Sequence, residues 1–84
     1  MSTALRLNQL PLRQSARVLR VDAAQADQPE VRNGQLADIG FVPGEPVMVL
    51  AHAWPGNDPL VVRVGHSQFA LRGVEAACVQ VEAA

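Results

Sequence analysis

Residues 36–51, LADIGFVPGEPVMVLA, constrain the chain more than any other stretch. Gly40 stands where a helix should stop, because a glycine just past the last turn enters the left-handed region without a Cβ penalty. With Gly40 at C′, Phe41 is C″ and Leu36 is C3, the two positions whose side chains meet in a Schellman stop. Pro43 cannot continue the helix. Val42, Pro43, Gly44 and Glu45 fit a type II turn, with proline second and glycine third. A strand apolar on both faces follows, with Val47, Val49 and Ala51 on one side and Met48 and Leu50 on the other. About ten residues therefore predict a helix end, a hydrophobic clasp, a reversal and a strand entry.

A chain of 84 residues makes one domain, read as residues 1–84. Its core draws on twelve Val, nine Leu, one Ile and two Phe, enough to exclude disorder. The excess of valine favours strands, and six Gly and six Pro punctuate the chain into short ones.

Residues 1–13 read as a leader whose leucines (Leu5, Leu7, Leu10, Leu12) lie over an open barrel end, with a short helical turn before Pro11. Strands are predicted at 15–21, 45–53, 60–64, 67–72 and 77–82. In the first, Ala16 and Val18 face one way and Leu19 and Val21 the other, so either both faces are covered or a bulge intervenes. A helix should begin at Asp27 as N-cap, with Pro29 in its first turn and Glu30 completing a capping box. It runs to about Ile39 on a narrow stripe of Val31, Gln35, Leu36 and Ile39. Gly34 in its interior either permits close packing or weakens it. Residues 54–59, WPGNDP, form a loop, Gly65-His66 a two-residue hairpin connection, and residues 73–76 a helical turn. The order is that of a mainly β, small SH3-like barrel of about five strands with one α-helix after the first.

The net charge of −1, with seven Arg and no Lys, argues against non-specific nucleic-acid binding, although Arg6, Arg13, Arg17 and Arg20 cluster early in the chain. One cysteine, Cys78, permits no internal disulfide. No apolar run reaches the roughly 18 residues of a membrane span, and no secretory signal is legible. The expected location is cytoplasmic.

Motifs that carry chemistry are missing from the sequence. There is no phosphate-binding loop, no G-x-S-x-G elbow and no H-E-x-x-H. Cys78 reads as a small strand hydrophobe rather than a nucleophile. His52 and His66 lack the spacing of a ligand pair, so no metal site is assigned beyond an incidental divalent ion at either one. With no Tyr, one Trp and two Phe, the chain lacks the aromatic groove of proline-peptide-binding SH3 domains and the stacking surface of single-strand binders.

LADIGFVPGEPVMVL resembles the helix-end motif of the FeoA family of ferrous iron transport accessory proteins. DPLVVRVGHSQFALRGVEAACVQV resembles that family's second half, with "DP" before a strand and "ALR" and "EA" before the last one. The resemblance runs from about Ser15 to Val81. It implies a cytosolic SH3-like protein with no enzymatic activity and no cofactor, whose partner is a FeoB-type membrane iron transporter carrying a G-protein domain. The alternative is a stand-alone regulatory or metal-sensing domain similar to the C-terminal domain of DtxR-type repressors. On the first reading the apolar side chains around the helix corner are the candidate partner surface: Leu36, Ile39, Phe41, Val42 and Met48, with Trp54 on the neighbouring loop; on the alternative, His52 and His66 would belong to a divalent-metal site. An exposed apolar patch there would mark an interaction site. The sequence does not set an oligomeric state.

Overall fold

A computed structural model describes residues 4–22, 29–53 and 58–84, with side chains from 34 onward in the helix. The elements are β1 (Ala4–Arg6), a 3-10 turn (Leu7–Gln9), β2 (Ala16–Val21), α1 (Pro29–Ile39), β3 (Pro46–His52), β4 (Leu60–Val64), β5 (Ser67–Leu71), α2 (Gly73–Ala76) and β6 (Val79–Ala83). The strands form one antiparallel sheet in the order β1-β6-β2-β3-β4-β5. Valines at alternate positions explain the inner face: Val47 and Val49, Val62 and Val64, Val79 and Val81 are all buried. Inward side chains from β2 to β6 join a single cluster with Leu36 and Phe41, so the sheet wraps around one core.

Among the described residues there are six strands, not about five. The additional one is β1, which pairs Ala4, Leu5 and Arg6 with Glu82, Val81 and Gln80. Beyond it, Leu7 and Leu10 are buried, while Leu12 is 49% exposed. Three residues are too few for alternation to announce a strand, and β1 exists because β6 offers it an edge. The last strand starts at Val79 rather than at residue 77. Cys78 therefore sits in the turn after α2, where its thiol donates to the Val74 carbonyl at 3.4 Å.

The switch of faces in β2 is a bulge. The register to β6 shifts between Val18 and Arg20, which leaves Ala16 and Val18 buried and Leu19 exposed. A second irregularity, between Val49 and Ala51, moves Ala51 off the inner face, and it is exposed. The N-cap proposed at Asp27 lies outside the described residues.

The helix corner forms as its residues dictate. Gly40, at φ +127°, donates its N–H to the Ala37 carbonyl at 3.0 Å, and Phe41 donates to Leu36 at 3.1 Å. These are the two bonds of a Schellman stop. Gly44 takes φ +90°, and the Glu45 N–H reaches the Val42 carbonyl at 3.1 Å, closing the type II turn.

Candidate functional site

The corner is pinned to β2 on both sides of its turn. Gly44 N–H donates to the Val18 carbonyl at 2.7 Å and Val18 N–H to the Glu45 carbonyl at 2.9 Å. Arg17 Nη1 adds a bond to the Gly44 carbonyl at 3.1 Å. Whatever the corner presents, it presents on a fixed backbone.

The six candidate side chains fall into different places. Leu36 and Phe41 are each 1% exposed. They are core, because clasping across the helix stop turns both inward, and neither can be touched by a partner. Ile39 is half-buried against the same cluster. Val42 is 42% exposed at the first position of the turn. Met48 is half-buried on the outer face of β3, where its sulfur accepts from Arg63 Nη2 at 3.7 Å. Trp54 lies outside the described residues. The corner thus offers Val42 flanked by Ile39, a smaller apolar surface than the sequence suggests.

Met48 belongs to a different feature, which sequence reasoning missed. A half-open groove of ≈390 Å³ runs between β2, β3 and the β4–β5 hairpin, lined by Ser15, Pro46, Met48, Arg63 and His66 among others. The signal that could have found it is the register. Pro46 and Met48 share the outer face of β3, opposite Arg17 on one side and Arg63 on the other.

Among the described residues the titratable groups do not converge on a reactive centre. His52 pairs with Leu60 at one end of the β3–β4 ladder, and His66 sits in the hairpin beyond the other, next to the Val47–Val64 pair. Five strand residues separate the two ends, roughly 15 Å, too far to share an ion. Among the described residues no group of three or more His, Cys, Asp and Glu side chains is placed to hold a metal. The Cys78 thiol is buried and directed at a backbone carbonyl. No helix among the described residues is long and apolar enough to cross a membrane.

At the far side of the sheet, α2 is held by carboxylates. Asp58 Oδ1 accepts the Gly73 N–H at 3.0 Å, and Glu75 Oε1 accepts the Arg72 N–H at 2.8 Å. Both acids act at the start of the helix: Asp58 reaches across fifteen residues to its first N–H, and Glu75 turns back to the N–H of the residue before it.

A family model for the FeoA domain matches residues 5–83, nearly the whole chain. The chain belongs to the FeoA family. Among solved structures, the FeoA of Stenotrophomonas maltophilia, a prokaryotic SH3-domain protein complexed with zinc, is 38% identical with a TM-score of 0.77. That match covers 96% of this chain and 88% of the other. The FeoA protein of Chlorobium tepidum is 32% identical with a TM-score of 0.76, over 94% of this chain and 70% of that one. A structure of another kind shares the fold alone: T. acidophilum IdeR is 18% identical with a TM-score of 0.73, and 98% of this chain covers 35% of it. None of the curated proteins matches. The mainly β, SH3-like architecture is therefore that of the FeoA family. The zinc is a feature of the Stenotrophomonas structure.

Proposed function

We propose that this chain is a non-enzymatic, cytoplasmic accessory protein of bacterial ferrous iron uptake, and that it binds a FeoB-type membrane transporter through its G-protein domain or beside it. The observation that carries the reading is the family match over residues 5–83, joined to 38% identity with the Stenotrophomonas protein. That protein has been put forward as an activating factor of ferrous iron transport. The helix corner is the docking element, with Val42 as its exposed apolar contact and Ile39 beside it. Leu36 and Phe41 act only by holding that corner in shape.

The test is direct association of the full chain with a FeoB-type transporter and with its isolated G-protein domain, with and without nucleotide. Saturable binding to either supports the reading. Absence of binding to both, in every nucleotide state, ends it. Normal growth of a deletion strain under anaerobic iron limitation would also count against it.

A further inference from the structure

Four arginines share one face of the sheet, and the registers prove it. Arg6 and Arg20 both lie opposite Gln80, and Arg17 lies opposite Glu82. Gln80 and Glu82 are two apart on β6 and so point the same way. Arg17 and Arg20 are three apart, which would put them on opposite faces. The bulge at Leu19 brings them to the same one. Arg17 opposes Pro46, and Arg63 opposes Met48, again two apart on one strand. Arg6, Arg17, Arg20 and Arg63 are all exposed.

Each guanidinium is oriented by a neutral acceptor. Arg6 Nη1 donates to the Ala77 carbonyl at 2.6 Å, and Arg17 Nη1 to the Gly44 carbonyl at 3.1 Å. Arg20 Nε donates to Gln80 Oε1 at 3.0 Å, and Arg63 Nη2 to the Met48 sulfur at 3.7 Å. Among the described residues none of the four forms an ion pair. A guanidinium carries five donors, so most of the donors on this face remain unspent. Glu82 is the one strand carboxylate on it, with Asp22 and Glu45 just beyond the ends of β2 and β3. A chain of net charge −1 has thus gathered more than half of its seven arginines on one side of one sheet.

We infer that this outer face, together with the ≈390 Å³ groove beside Arg63, binds a short acidic segment of a partner protein. Charge complementarity selects carboxylates, and the groove over Pro46 and Met48 accepts the apolar side chains between them. An extended polyanion fits less well. A duplex or a bilayer extends past the four arginines onto the rest of the chain, which is net acidic once they are set apart. Among the described residues the face also has no aromatic side chain for stacking bases, since Phe41 and Phe69 pack into the core. The inference stands apart from the transporter reading, because it rests on the charge layout and the groove beside it and its test uses no transporter.

The test is an NMR titration of the isotope-labelled full chain, with the arginine Nε–Hε signals as the readout. A capped hexaglutamate peptide should shift the signals of Arg17, Arg20 and Arg63, with an affinity that falls as salt is raised. The double variant Arg17→Gln/Arg63→Gln should bind roughly tenfold more weakly. Arg72→Gln, away from the face and paired with Glu75 at 3.7 Å, should bind as the parent does. The inference is overturned if the peptide leaves these signals unmoved, or if the double variant binds as tightly as the parent. Tighter binding of phosphatidylserine-containing vesicles or of a short DNA duplex than of the peptide would overturn it too.

Discussion

Asp58 holds Gly73 across the sheet: its Oδ1 accepts the Gly73 N–H at 3.0 Å, at the first residue of α2. A four-residue helix cannot sustain itself, so its position depends on such external bonds. Asp58→Ala removes an acceptor from the helix start and should cost about 1 kcal/mol. In a domain of this size that lowers the melting temperature by ~4–8 °C. Asp58→Asn keeps an acceptor and should lose less than half as much in the same thermal melt.

The Schellman stop should separate conformational cost from packing cost. A Cβ on Gly40 would meet Val64 methyls at 3.7 and 3.8 Å, ordinary contact, so crowding is not what Gly40→Ala suffers. Its loss comes from φ +127°, and should be roughly 1–2 kcal/mol. Phe41→Ala instead empties the core beneath the corner and should cost about 3–5 kcal/mol. Urea unfolding measures both, and the slope should stay constant for Gly40→Ala if the fold is unchanged.

Leucines near the N-terminus should divide sharply by burial. Leu10 is 2% exposed and Leu12 is 49% exposed, two residues apart. Leu10→Ala should destabilise by about 2–5 kcal/mol, and Leu12→Ala by no more than about 0.5 kcal/mol. Equal effects in denaturant melts would mean that this segment does not seal the core as it does here.

These contrasts mark where the sequence could be read and where it could not. The corner was legible because Leu36, Gly40, Phe41, Pro43 and Gly44 act on each other within nine residues, through backbone rules that need no tertiary context. The valine strands were legible by alternation. β1 was not, since its pairing with β6 is a contact between residues about 76 apart in sequence, visible only once β6 is in place. The bulge at Leu19 was left as one of two alternatives, and the structure selects it because only that register buries Val18 and Val21 on the same side of β2. The site suffered most. A clasp and a docking patch draw on the same apolar residues, and the sequence cannot say that Leu36 and Phe41 are consumed by the clasp while Val42 is left outside.

Gly34 offers a gain rather than a loss. It lies within α1 and is exposed, and a Cβ built on it meets nothing within 4 Å among the described residues. Close packing is therefore not its reason for being there. Gly34→Ala should stabilise the chain by about 0.5–1 kcal/mol through helix propensity. A rise in melting temperature checks it.

Val42 should decide which surface carries the proposed docking. At 42% exposure it contributes little to stability, so Val42→Asp should change the unfolding free energy by no more than about 0.5 kcal/mol. It nevertheless places a charge at the centre of the exposed corner, where a desolvated apolar contact cannot accept one without a partner. Binding to a FeoB-type transporter should fall at least tenfold, while Leu36→Ala, tested at a temperature where it stays folded, should weaken binding less than it weakens the fold. If Val42→Asp binds as the parent does and Trp54→Ala does not, the contact lies at Trp54 rather than at the corner.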